Sequence, residues 1–194
     1  TINTLLNFIN PTSGQARIFG KDCVKDSAQI KQYIGCVQAE VNYYDNMTVR
    51  DLLLYSAKYY KKNCAKRMLE LCGKFELDAN KKIDSLSLGS KKKLAIITSL
   101  IHEPKLLFLD EPTNGLDPLM QNVFFELLKE ENKKGVTIFL SSHVLREVDR
   151  LCNRVAIIKE GRIIEVEEIE SLRDTKYKRI KIILEDPEDA KELK

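Results

Sequence analysis

The run Leu106-Leu107-Phe108-Leu109-Asp110-Glu111 constrains this chain more than any other segment, because four large apolar residues are followed at once by two carboxylates. Four apolar residues without polar alternation fit a strand covered on both faces, which is the habit of parallel sheets. Such a strand delivers its last residues to the carboxyl edge of the sheet, where ligands of open α/β folds bind. Two acids at that edge suit two tasks in phosphoryl chemistry: Asp110 can hold Mg2+ through a water, and Glu111 can polarise a water for attack on phosphorus. The plain alternative is a strand that ends in a solvated acidic turn.

The flanking sequence alternates helix and strand. Ile2, Leu5, Leu6 and Ile9 recur at helical spacing until Asn10-Pro11-Thr12-Ser13-Gly14 breaks the pattern. Residues 16–19 read as a short strand, 27–32 as a helix and 33–37 as a second strand, followed by a polar loop over 39–46. Thr48 and Asp51 resemble a capping box opening a helix that carries Leu52, Leu53, Tyr55 and Tyr59, and residues 66–75 read as another helix. A helical insert therefore stands between strand-bearing halves. After the acidic strand, Asp117 as cap and Pro118 in the first turn predict a helix over 118–132, and residues 136–140 a further strand, a β-α-β order that predicts a parallel sheet. A short helix from Ser142 or His143 through Arg150 follows, then a hairpin of residues 155–158 and 162–164 around Lys159-Glu160-Gly161. Ile180, Ile182 and Ile183 suggest one more strand in a highly charged tail.

Composition narrows the class. The 194 residues suffice for one to one and a half domains, and 43% hydrophobic with 31% charged residues excludes a disordered chain, a collagen-like fibre and a disulfide scaffold. No apolar run approaches the roughly 18 residues of a membrane span. A net charge of +3 is too mild to point to nucleic acid. Cys23, Cys36, Cys64, Cys72 and Cys152 show no metal-binding spacing and read as reduced, mostly structural thiols of a cytosolic protein. The chain opens on Thr1 with no charged leader, which reads as a cut start, and the tail reads as a cut end.

The residues after Glu111 add specificity. Pro112-Thr113-Asn114-Gly115-Leu116-Asp117-Pro118 supplies a rigid turn, a Gly for an unusual backbone conformation and a helix cap. From Leu109 through Pro118 the sequence resembles the Walker B motif and D-loop of the ABC-transporter ATPases. Upstream, Leu86-Ser87-Leu88-Gly89-Ser90 is similar to the ABC signature, with Leu88 in place of the first Gly and Ser90 in place of Gln. A Ser, a Gly and a helix N-terminus there offer backbone N–H groups to a phosphate, and the following Lys91, Lys92 and Lys93 read as an ordinary solvated helix start. Downstream, Phe139-Leu140-Ser141-Ser142-His143 resembles the switch loop, whose His can touch the γ-phosphate. His102 has no such context and reads as structural. At the Q-loop the alignment puts Ala39 at the glutamine position, so that Gln38 through a local shift, Glu40, or no residue fills that role.

The resemblance covers residues 1–166 and implies an α/β fold: a P-loop NTPase (RecA-like) core with a mainly parallel sheet, plus an ABC helical subdomain at about residues 48–100. Residues 167–194 are expected to start a C-terminal extension. The first residues resemble the helix that follows a phosphate-binding P-loop; the loop itself is not in the 194 residues, so the domain is expected to be N-terminally truncated and inactive alone. Asn42 through Val49, with the Leu88 variant, is similar to bacterial drug or bacitracin-type exporters. The family implies a subunit that binds and hydrolyses ATP with Mg2+, coupling hydrolysis to export of a drug or peptide. Glu111 and His143 would be catalytic and Asp110 the metal residue, with Ser87, Gly89, Asp117 and Gln38 contacting nucleotide. The implied partners are a second ATPase subunit, as homo- or heterodimer, and transmembrane permease subunits, with no nucleic acid. The implied location is cytoplasmic, at the inner face of the membrane. Two other readings stay open: a soluble ABC-type ATPase of translation or DNA repair, and a non-catalytic remnant without a P-loop.

Overall fold

The computed structural model describes residues 1–41, 43, 46–60 and 62–174. It divides into two compact units, the first Thr1–Leu151 and the second from Cys152 onward. The strand expected around Ile180–Ile183 and residues Asn42, Tyr44 and Asp45 of the exporter-like segment lie outside the described residues.

In the first unit the chain runs α1 (Ile2–Leu5), β1 (Arg17–Ile18), β2 (Lys21–Asp22), α2 (Ser27–Lys31), β3 (Ile34–Val37), α3 (Val49–Ala57), α4 (Ala65–Lys74), a single 3₁₀ turn, α5 (Leu88–Leu100), β4 (Leu106–Asp110), α6 (Pro118–Lys133), β5 (Thr137–Ser141) and α7 (Leu145–Leu151). Strands β3, β4 and β5 form a parallel sheet in that order, so the apolar strand is central as its composition requires. Side chains alternate across it. Leu107 and Leu109 enter a large core shared with α3, α4, α5 and α6, whereas Leu106 and Phe108 enter a smaller one with Leu6, Ile18, Cys23, Ile30 and Ile34. Gly35 lets β3 approach α5: a Cβ there would lie 2.1 Å from the Ser99 carbonyl oxygen and 2.6 Å from Leu107 Cδ2.

Local chemistry explains the boundaries. Thr48 and Asp51 form the expected capping box of α3, each side chain meeting the other's backbone N–H. Asp117 caps α6 with Pro118 in the first turn. Helix α1 is shorter than its periodicity predicts, because Asn7 turns left-handed (φ 52°) and the amides of Phe8 and Ile9 bond back to the Asn3 carbonyl. The expected strand at 16–19 shrinks to a two-residue arm, since Phe19 and Gly20 both take positive φ and fold the chain back onto β2. Helix α7 starts at Leu145 rather than Ser142, because Ser142 Oγ accepts the Val144 amide ahead of the helix.

The second unit holds an antiparallel hairpin, β6 (Arg154–Lys159) and β7 (Arg162–Glu168), and then α8 (Ile169–Asp174). Glu160 and Gly161, both at positive φ, make its turn, as the sequence predicts. All five cysteines are free thiols, and no described helix is long and apolar enough to cross a membrane.

Because the Cβ of Gly35→Ala would collide with backbone rather than a flexible side chain, that substitution is expected to lower stability by about 1–3 kcal/mol. Denaturant unfolding measures it, and an unchanged midpoint would contradict the packing described.

Candidate functional site

The parallel ladder ends with Asp110 of β4 opposite Ser141 of β5. One step on, the Glu111 amide still donates to the Ser141 carbonyl at 3.0 Å, but Glu111 itself lies in the left-handed region at φ 45°. That conformation costs a non-glycine residue about 1–2 kcal/mol. It sets Glu111 Oε1 against the second residue after β5: Oε1 accepts the His143 amide at 3.1 Å and sits 2.9 Å from His143 Nδ1. The imidazole is 73% exposed, while the carboxyl is mostly covered. The hydrogen bond that His143 donates to Glu111, and then the carboxylate's charge, raise the His143 pKa above the ordinary 6.5. Glu111 Oε2 is buried without a protein partner, an acceptor that calls for a water or a metal-bound water. Asp110 beside it completes a pair of hard oxygen donors. No cluster of three metal-binding side chains occurs among the described residues. The pair still suits Mg2+, which characteristically takes one or two carboxylates and fills its shell with water and phosphate.

Past Glu111 the chain loops to Asp117, whose Oδ1 accepts the Met120 amide at 3.0 Å. Gly115 sits at φ 84°, a conformation glycine tolerates. Against it lies the start of α5. A Cβ on Gly89 would meet the Gly115 carbonyl oxygen at 2.7 Å, and Leu88 packs where a Gly115 side chain would project. Ser87 is the N-cap of α5, its Oγ accepting the Ser90 amide at 3.2 Å. The structure thus gathers Ser87, Gly89 and Asp117 around the loop whose other end carries Asp110, Glu111 and, across the ladder, His143.

Gln38 follows β3, whose last residue Val37 pairs with Leu109, so it leaves the sheet at the same edge. Its side chain is exposed, as are Ala39 and Glu40. What holds this loop is Lys92, and here the reading of the lysine run needs correction. Lys92 is only 3% exposed, with Nζ donating to the Gln38 carbonyl at 2.9 Å and the Ala39 carbonyl at 3.0 Å. Burial lowers its pKa, against the opposing pull of the Asp110 and Glu111 carboxylates. Tyr43 adds a second tie, its hydroxyl donating to the Lys91 carbonyl at 3.2 Å. The signal was in the spacing: Lys92 falls on the same helical stripe as the buried Ala95, Ile96 and Ser99. His102 is structural as expected, buried on the Ile34 carbonyl at 3.0 Å and stacked on Tyr60.

Sequence reasoning also passed over Glu147 of α7. It is buried, with Oε1 accepting the Thr113 hydroxyl at 2.6 Å and Oε2 the Ser142 hydroxyl at 2.8 Å. Nothing in a seven-residue helix distinguishes such an acid from a solvated one.

The two histidines should titrate apart. His143 is expected above 6.5 and to fall toward 6.5 in Glu111→Gln, while burial depresses His102 to about 4. His102 takes its proton more readily unfolded than folded, so its contribution to stability is lost as pH falls from 6.5 toward about 4. The raised His143 pKa has the opposite sign, its contribution present in full just below 6.5 and fading as pH rises through the raised value. Imidazole NMR titration of the wild type and of Glu111→Gln measures this; a His143 pKa indifferent to the substitution would contradict the pairing.

Comparison with known proteins follows the same lines. A family model described as ABC transporter matches residues 1–114. The chain is 40% identical to the bacitracin transport ATP-binding protein BcrA of Bacillus licheniformis, over 98% of this chain and 63% of that protein. It is 35% identical to the linearmycin resistance ATP-binding protein LnrL of Bacillus subtilis, over 86% of this chain and 55% of that protein. It therefore spans between about half and two thirds of the length of these relatives. Among solved structures, the ATP-binding subunit of an ABC transporter superposes with a TM-score of 0.84 at 25% identity, covering 89% of this chain and 74% of that one. The fold is that of the ATP-binding cassettes.

Proposed function

The chain belongs to the ABC transporter family of ATP-binding proteins, and from that premise we propose that the whole subunit binds and hydrolyses ATP to drive export through separate membrane subunits. The observation that carries the reading is the Glu111–His143 pair at the carboxyl edge of the sheet, with one carboxylate oxygen committed to the imidazole and the other unpartnered. Glu111 Oε2 is the acceptor for a hydrogen of the attacking water. The water oxygen forms a bond to the γ-phosphorus as the bond from that phosphorus to the ADP oxygen breaks, and Glu111 takes up the proton released. His143, its Nδ1 tied to Glu111, keeps Nε2 for the γ-phosphate, and the raised pKa favours the protonated, donating form. Asp110 would hold Mg2+ through a water, and the ion supplies neutralisation of phosphate charge.

The similarity to BcrA and LnrL supports export of a drug or peptide antibiotic as the task. For the partners, Leu88, Leu119 and Leu145 stand 71%, 66% and 82% exposed at the starts of the three helices that surround the site. Large apolar side chains in such positions suit cover by a second ATPase subunit, with Ser87 and Gly89 of one subunit completing the site of the other. Residues 1–166 form the ATPase domain in this reading and later residues an extension. Gln38, held by its carbonyl, is the Q-loop residue that senses nucleotide and reports to the membrane subunit.

In the whole subunit, Glu111→Gln is expected to leave MgATP affinity within about threefold and to cut turnover by about 100-fold or more, since shape is kept and the proton acceptor lost. Equilibrium nucleotide binding and phosphate release measure the two. Wild-type turnover in the variant would remove Glu111 from the chemistry.

A further inference from the structure

We propose that Glu147 is a positioning residue for this hydrolytic site, a latch that fixes the end of β5 to the loop after β4 so that His143 stays in reach of Glu111. The proposal rests on the ATPase reading and deepens it. Thr113 lies two residues beyond Glu111, and Ser142 lies one residue before His143. Glu147 receives the hydroxyl of each, at 2.6 Å and 2.8 Å, from a third element, α7. Glu111 and His143 are therefore joined twice, directly through Oε1 and indirectly through the path Thr113–Glu147–Ser142.

The two joins differ in kind. The direct one is open to solvent through the 73% exposed imidazole, whereas the indirect one is held by buried groups, with Glu147 6% and Thr113 4% exposed. An ionised carboxylate only accepts, so both hydroxyls are obliged to donate to it. That leaves a lone pair of Ser142 Oγ for the Val144 amide, which it accepts at 3.1 Å, and shapes the turn bearing His143. The Glu147 amide closes the same turn on the Val144 carbonyl at 3.0 Å. A buried carboxylate is costly, and the two hydroxyls it receives offset part of that cost. Its use lies in setting the two loops that flank the reacting groups.

The test uses the whole subunit with its membrane partners and compares wild type, Glu111→Gln, Glu147→Ala, Glu147→Gln, Thr113→Ala and Ser142→Ala by kcat, KM for MgATP and equilibrium nucleotide affinity. A latch acts after binding, so Glu147→Ala is expected to lose on the order of 10- to 100-fold in kcat with KM and affinity within about threefold. Glu147→Gln still bridges both hydroxyls and should keep kcat within about threefold of wild type. Each hydroxyl variant cuts one arm and should fall between, and adding Thr113→Ala to Glu147→Ala should cost nothing more. Wild-type kcat in Glu147→Ala overturns the proposal, as does a rise in KM without loss of kcat, or a Glu147→Gln as slow as Glu147→Ala. Should Glu147→Ala not fold, the two hydroxyl variants decide, and wild-type turnover in both overturns it. Wild-type turnover that vanishes in Glu111→Gln but persists in Glu147→Ala sinks the latch alone; a wild-type subunit without MgATP turnover sinks the ATPase reading and the latch with it.

Discussion

The parallel register of β4 between β3 and β5 is the constraint on which the site depends. Leu109 pairs with both Val37 and Leu140, and Asp110 with Ser141, so three strands run out at one edge within a residue of each other. A slip of one residue would exchange Leu107 and Leu109 with Leu106 and Phe108 between two cores of different shape, which is why the register is fixed by burial and not by the edge residues themselves. With the register set, Glu111 is the first residue free of the pleat. Its left-handed backbone turns the carboxylate toward the next strand instead of leaving it to alternate into solvent.

Around this edge, α5 performs two separate bracing tasks with its first two turns. Its N-terminus packs on the D-loop through the close approach of Gly89 to the Gly115 carbonyl, and Lys92 reaches back to hold the carbonyls of Gln38 and Ala39. One helix, capped by Ser87, thus touches the loop after β3 and the loop after β4. A buried ammonium is costly, and two backbone carbonyls with two carboxylates nearby offset that cost. On the other side α7 braces the loops through Glu147. Glycines matter at few places here: Gly35 and Gly89 because another backbone comes within contact distance, Gly115 because its φ requires it.

Much of this was legible in the residues. The apolar run ending in Asp110-Glu111, the Asp117-Pro118 cap and the Thr48/Asp51 box are local signals, each set by chemistry within a few positions, and they appear as read. His102, without a motif, is the packed residue it was expected to be. What was not legible depends on contacts far apart in sequence. Lys92 looks solvated inside a run of three lysines and is distinguished only by its helical stripe, while its partners lie more than fifty residues away. Glu147 depends on two hydroxyls from different loops. The shortened α1 and the hairpin arms at 17–22 hinge on Asn7 and Phe19 taking positive φ, a conformation that Asn tolerates better than most residues but that Phe does not announce.

The central claim is that the terminal phosphate of ATP is cleaved at the edge where Glu111 and His143 meet. The most direct measurement is a structure of the whole subunit trapped with MgADP and vanadate, which mimics the phosphorus in flight. The account predicts vanadate within hydrogen-bond reach of His143, with a water or vanadate oxygen on Glu111 Oε2. A nucleotide bound with its vanadate away from both residues would contradict it.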